Sequence, residues 1–336
     1  MAIHIDPSLR HTIPQCGQKC TARNIALTVF MSNLIEHRNM SVTYLVTGAT
    51  GTVGSLVVGR LVELGHRPRI FVRDVKKAPA HYGDRVDVFV GDLADTSTMQ
   101  SALSGSDVML LINVGPQLAT LDERAAQAAH AAGVKHLVKL SSYDATVPNT
   151  GTGIWHAHAE AAIRAIGIPF TFVQPSGFMS NVLFWANPIK SQGVLQSCTG
   201  YGKIPFIHPQ DIADVTTKAL TSRPKGDSLL ITGPEALSYA EMLGRISDAI
   251  GKPLKYEIIS EKEERRRMIG FGEPEEIIAA HLSIYRAIRE GRLAKPTDTV
   301  ERVLGRKAFT FEEWIQQNLA AFAEPVEVMG CNRESG

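Results

Sequence analysis

Directly after a short apolar stretch the chain reads Val46-Thr47-Gly48-Ala49-Thr50-Gly51-Thr52-Val53-Gly54. Glycines at 48, 51 and 54 let the backbone turn tightly, let amides approach a diphosphate, and let the next helix pack closely on the preceding strand. The N-terminus of that helix then attracts the anion. A glycine triplet alone is a weak signal, and its place between a strand and a helix makes it specific. It implies a dinucleotide cradle built from Gly48, Thr50, Gly51, Thr52, Val53 and Gly54.

The second strand ends Ile70-Phe71-Val72-Arg73-Asp74, with Lys76 and Lys77 beyond. An NAD site usually places a carboxylate here for the ribose hydroxyls, whereas a guanidinium suits a 2′-phosphate. Arg73 with Lys77 therefore points to NADP(H). The competing reading makes Asp74 the ribose ligand and the cofactor NAD(H). Asp92 and Leu93 follow the third strand, where a carboxylate or backbone meets the adenine; Asp92 is alternatively a helix cap. Asn113, Val114 and Gly115 follow the fourth strand and line the ribose and nicotinamide. Ser141 and Pro175 close the fifth and sixth strands and complete the cofactor contacts.

These positions require an alternating frame. Strands are expected at 44–46, 69–72, 86–90, 108–113, 136–140 and 170–173, and helices at 54–64, 99–103, 121–132 and 157–166. Short apolar strands separated by helices imply a Rossmann-type, doubly wound parallel sheet with ligands at the strands' carboxyl ends. Past Gln174 the alternation breaks down, with helices or loops at 176–193, 238–250 and 261–292 and short strands near 204–207, 228–232 and 254–258. The expected organisation is an N-terminal extension over 1–40, a nucleotide-binding domain over 41–175, a smaller α+β substrate region packed on the sheet over 176–323, and a disordered tail over 324–336.

With 336 residues, 44% of them apolar and 21% charged, the chain can bury a full core. A net charge of +1 offers no field for nucleic acid, and no stretch is long and apolar enough for a membrane span. Four scattered cysteines suggest a reducing, cytoplasmic setting, and Cys16, Cys20 and His11 lack a fourth metal ligand. The acid-poor first 39 residues read as a disordered arm, a targeting segment or a start codon placed upstream of Met40. A monomer or homodimer acting on a small apolar molecule is expected.

Beyond the fifth strand come Trp155-His156-Ala157-His158-Ala159-Glu160, then Gly167-Ile168-Pro169-Phe170-Thr171, Gln174-Pro175, Phe178-Met179-Ser180-Asn181 and Phe206-Ile207-His208-Pro209-Gln210-Asp211-Ile212-Ala213. With GATGTVG these resemble the NmrA-like, atypical short-chain dehydrogenase/reductase family over roughly 42–322. The resemblance implies an NADPH-dependent reductase that transfers hydride to a small planar apolar acceptor of quinone, dye or enone type. The family's namesake implies the alternative, a non-catalytic NADP(H) sensor. It also implies that His156 lies beside the nicotinamide ribose.

One departure shapes the chemistry. Ordinary short-chain dehydrogenases use Tyr-x-x-x-Lys, in which the lysine lowers the tyrosine pKa, and no such motif occurs here. Tyr143 and His156 are the remaining candidates for proton delivery; Tyr143 is otherwise a packed residue, and His156 otherwise a ribose ligand. Glu160, one turn after His156, is expected to orient it. Phe178, Met179, Phe184 and Trp185 form either an apolar wall over the nicotinamide or core packing.

Overall fold

The computed structural model describes residues 42–78, 80–224 and 226–323. The expected extension and tail, with Cys16, Cys20 and His11, lie outside the described residues. A central sheet of seven strands runs β3-β2-β1-β4-β5-β6-β9, built from β1 (Tyr44–Thr47), β2 (Arg69–Val72), β3 (Asp87–Val90), β4 (Val108–Leu111), β5 (His136–Leu140), β6 (Phe170–Pro175) and β9 (Asp227–Ile231). Every pairing in it is parallel. The central strands β1, β4 and β5 are buried throughout, which is why they read as unbroken apolar runs and not as alternating ones.

Helices cover both faces. Val53, Val57, Val58 and Leu61 of α1 (Thr52–Glu63) meet Ile212, Val215 and Ala219 of a helix over Pro209–Ser222 on one face. On the other, Ala125, Ala126 and Ala129 of the helix Leu118–Ala131 and Ile163 of the helix Gly153–Ile166 pack on Leu45, Met109 and Leu137. Small alanines let that helix lie close to the strands. Both helices on this face begin a turn earlier than the periodicity suggests. For Gly153–Ile166 the cause is distant: the Asp144 carboxylate accepts from the Gly153 amide at 2.8 Å and from Thr152 Oγ1 at 3.0 Å.

The segment after β6 does not stay apart from the sheet. It makes a 3-10 stretch (Met179–Trp185), a helix (Ala186–Gln192), β7 (Val194–Ser197) and β8 (Lys203–Ile204), then returns to supply β9. Beyond β9, β10 (Leu237–Ser238) pairs with β8, β11 (Lys255–Ile258) pairs with β7, and helices span Tyr239–Ile250, Glu261–Gly270, Glu275–Arg289 and Phe311–Asn318. Their apolar faces form a second core with Met179, Val182, Phe206, Tyr239, Met242, Ile246, Phe311 and Trp314. Among the described residues no helix is long and apolar enough to cross a membrane.

Candidate active site at the carboxyl edge of the sheet

The sheet order reverses between β1 and β4, and there the two strand ends are tied together. Thr47 Oγ1 accepts from the Ile112 amide at 2.8 Å and lies 3.2 Å from the Leu110 and Ile112 carbonyls. Gly48 follows at φ +61°, where a Cβ would sit 2.8 Å from the Ile112 Cβ. A Cβ on Gly54 would sit 2.1 Å from the Gly48 carbonyl oxygen. The Gly51 amide donates to that same oxygen at 3.0 Å. The turn is thus tight because α1 is pressed against it, and no side chain caps the N-terminus of α1. Its first amides and positive end of the dipole are left for an anion. Thr50, Gly51 and Thr52 are exposed, whereas Val53 and Gly54 are buried beneath them.

At the end of β2, Arg73, Lys76 and Lys77 are exposed, and none of their side chains makes a hydrogen bond or ion pair among the described residues. Asp74 turns back instead, its Oδ1 accepting from the Lys76 amide at 2.9 Å. One of its oxygens is therefore spent on a local turn, which favours the guanidinium as the outward-facing group. Asp92 is exposed and accepts from the Ala94 amide at 2.9 Å, with Leu93 half-buried beside it. The cap of the following 3-10 turn is Asp95, not Asp92, through the Ser97 amide at 3.1 Å. After β4, Asn113 Oδ1 accepts from the Val114 amide at 2.9 Å while its Nδ2 is buried with no partner. Val114 is 82% exposed and Gly115 has φ +99°. An orphaned carboxamide donor beside an open apolar side chain is what a bound ribose or amide group would complete.

Beneath the end of β5 lies a charged layer that the sequence did not announce. Lys139 and Asp122 form an ion pair whose two side chains are 0% exposed. Ser141 Oγ donates to Glu160 Oε1 at 2.6 Å, and Gln174 Nε2 donates to the same oxygen at 2.8 Å. Arg164 pairs with the other oxygen at 3.1 Å. Glu160 is thereby bound to the strands, and the expected His156–Glu160 contact is absent: two strand donors and a guanidinium outcompete one histidine on the same helix. His156 is buried with Nδ1 unpartnered. Burial, and secondarily the nearby Lys139 charge, hold its pKa well below the usual 6.5, so the imidazole is neutral.

That depression has a measurable sign. On acidification the unfolded chain takes up the His156 proton first, so this group's contribution is intact above an unfolded pKa of about 6.5 and is lost as pH falls towards the folded value. His156→Asn is expected to flatten the stability curve between about pH 6.5 and 5 relative to the parent. Urea midpoints taken across that window report the difference, and parallel curves for parent and variant would refute it.

Tyr143 is buried in the second core, and its hydroxyl accepts from the Lys295 backbone amide. Burial pushes its pKa up, so it holds its proton. The four apolar candidates separate: Met179 is core, Phe178 packs on the sheet's core, Trp185 packs tilted by 51° against Tyr239 with centroids 4.7 Å apart, and Phe184 is 83% exposed. Pro175 is buried at the end of β6. His208 caps its own helix through the Gln210 amide at 3.0 Å and meets Gln317 at 3.0 Å. Asp211 pairs with Arg306 at 2.6 Å and accepts from the Phe309 amide at 2.8 Å. This motif therefore fastens the C-terminal helices. The groups missed from sequence are the Lys139–Asp122 pair and the Asp144 cap. The signal for the first was a lysine inside an apolar strand.

Comparison with known proteins agrees with this geometry. The NmrA-like family model matches residues 40–315. A (4-alkanoyl-5-oxo-2,5-dihydrofuran-3-yl)methyl phosphate reductase of Streptomyces griseus is 36% identical, covering 83% of this chain and 99% of that protein. An NAD(P)H azoreductase of Xenophilus azovorans is 35% identical, over 83% and 98%. The solved triphenylmethane reductase of a Citrobacter species superposes with a TM-score of 0.74 at 26% identity, over 83% and 99% of the two chains. The glycine turn, the sheet order and these relatives agree: the chain belongs to the NmrA-like family.

Proposed function

We propose that the chain is an NADPH-dependent reductase of the atypical short-chain dehydrogenase/reductase class, acting on small planar apolar acceptors of quinone, dye or enone type. One observation carries this reading. A single edge of the sheet brings together an uncapped helix N-terminus, the unpaired Arg73 guanidinium and the unpartnered Asn113 carboxamide. Two relatives above one-third identity are both named as reductases, one of them for NAD(P)H.

When bound, NADPH supplies a hydride. The chain's own residues do the rest. The amides at Thr52 and Val53 face the diphosphate, and Arg73, assisted by Lys77, holds the 2′-phosphate in a charge-assisted fork. Asp92 and Leu93 border the adenine, while Asn113 and neutral His156 hold the ribose and nicotinamide. Gly115 gives the backbone its turn there, and Ser141 and Glu160 brace β5 against β6 from behind. The exposed apolar residues Val114, Ile154, Leu183 and Phe184 lie in segments that follow β4, β5 and β6, adjacent strands, and are proposed to border one opening. That lining excludes water and suits a flat apolar acceptor. Tyr143, protonated just past the end of β5, is the proposed proton donor to the reduced acceptor.

The test is nucleotide titration with NADPH and NADH, followed by NADPH consumption with a quinone. Arg73→Ala should weaken NADPH by roughly 10–100-fold, the worth of lost charge-assisted hydrogen bonds, and leave NADH within about two-fold. Equal weakening of both nucleotides would remove Arg73 from the phosphate. Absence of nucleotide binding would overturn the function itself.

A further inference from the structure

After the helix Glu275–Arg289 the chain runs through residues 292–297 without helix or strand, and two sets of hydrogen bonds fix where that segment lies. The first set is to the loop after β5. Arg292 donates to the Pro148 carbonyl at 3.2 Å and to Thr150 Oγ1 at 2.9 Å, and the Lys295 amide donates to the Tyr143 hydroxyl. The second set is at the end of β9. The Thr297 amide donates to Thr232 Oγ1 at 2.8 Å, and Thr297 Oγ1 donates to the Leu230 carbonyl at 3.1 Å. In the sheet β6 lies between β5 and β9, so the segment is a strap across the carboxyl ends of these strands. Leu293 is buried in the second core, and Pro296 restricts the residue before it, Lys295, to extended backbone.

None of this fastening uses the side chain of Lys295. That residue is exposed, and its ammonium makes no hydrogen bond or ion pair among the described residues. The other charges of the strap are placed differently. Arg292 is taken up by the β5 loop and by Glu290 at 2.9 Å, while Asp298 lies past the Thr297 anchor as the N-cap residue of the helix Thr299–Leu304. Most surface lysines are solvated charges with no duty. Lys295 differs in its station, because its own amide holds the hydroxyl of Tyr143, the proposed proton donor. An ammonium on a flexible stem at that edge attracts an anionic oxygen group.

We propose that the Lys295 ammonium binds an anionic oxygen substituent of the acceptor, a sulfonate, carboxylate or phosphate, and so favours anionic planar acceptors over neutral ones of the same ring system. The proposal rests on the reductase reading above. The ring meets the apolar residues of the opening while the charged group stays at its solvated rim, which spares both charges the cost of full burial. Lys295 transfers nothing, and the contact is the same before and during hydride transfer. Its contribution therefore enters through KM and not through kcat.

The experiment compares a naphthoquinone with the same naphthoquinone bearing a ring sulfonate, in the full chain. The quantity read is the ratio of kcat/KM, sulfonated over unsulfonated, so that the difference in reactivity between the two quinones cancels between parent and variant. Expected is a fall in that ratio of roughly five-fold for Lys295→Met, carried by KM, and of roughly 20-fold for Lys295→Glu, where repulsion replaces attraction, with Lys295→Arg close to the parent. NADPH affinity and the unfolding midpoint, measured alongside, are expected to stay essentially unchanged. A ratio that Lys295→Glu leaves unaltered, equal losses on both quinones, a loss of NADPH affinity as large as the change in ratio, or a parent active only on the unsulfonated quinone overturns the proposal and leaves the reductase reading intact. A parent that oxidises NADPH with neither quinone overturns both.

Discussion

Gly54→Ala is expected to abolish nucleotide binding in the usable range, weakening NADPH by at least about 100-fold, because the helix must retreat from its own turn. The new methyl carbon would sit 2.1 Å from the Gly48 carbonyl oxygen and 2.7 Å from its carbon. These are backbone atoms, so no side chain can swing away. Gly48 cannot yield in turn, since Ile112 lies directly behind it and Thr47 ties Ile112 to β1. What moves is α1, and with it the amides proposed to face the diphosphate. Overpacking of this kind also destabilises the fold by about 1–3 kcal/mol. Fluorescence titration of the folded variant gives the result, and near-parental NADPH affinity would show that the turn is not the phosphate cradle.

Lys139→Met should destabilise the fold by about 3–5 kcal/mol, the usual consequence of leaving one member of a buried ion pair alone. Both side chains of the Lys139–Asp122 pair are fully buried, and Asp122 Oδ1 has no other partner. Without the ammonium, the carboxylate has no compensation for its lost hydration. Joining Asp122→Leu to Lys139→Met removes the stranded charge and is expected to recover most of the loss. Urea unfolding of the two single variants and the double variant closes the cycle. A double variant as unstable as the sum of the singles would mean that the pair is not the relevant unit.

Much of the frame is written in local patterns. The apolar runs around Leu45, Leu110 and Val138 are continuous because their strands are covered on both sides, and the glycines at 48, 51 and 54 impose a turn whatever follows. That Arg73 and Asn113 stand at strand ends on the ligand-binding edge was also readable, because it follows from where the strands stop. What escaped was set by partners far along the chain. Helical spacing assigned Glu160 to His156, but Ser141 and Gln174 sit on the two strands beneath it and bind it first. The helix carrying His156 starts early because Asp144 caps it from across a loop. Lysine in an otherwise apolar strand did pose the question of a counter-charge, yet naming Asp122 requires knowing which helix lies over β5.

The place of β9 sets an order of assembly. Thr171 of β6 lies opposite Asp227 of β9, and the intervening chain includes the Met179–Trp185 stretch and the helix Pro209–Ser222. A long segment must therefore close on itself before the last strand can dock, and the entropy of that closure precedes any gain from its pairing. Six strands alone would present an open edge at β6, the kind of template on which nascent chains associate wrongly. Leu183 and Phe184, two of the residues proposed to border the acceptor opening, belong to the segment whose return seals the sheet, so changes made at them to broaden the acceptor range also act on the yield of folded protein.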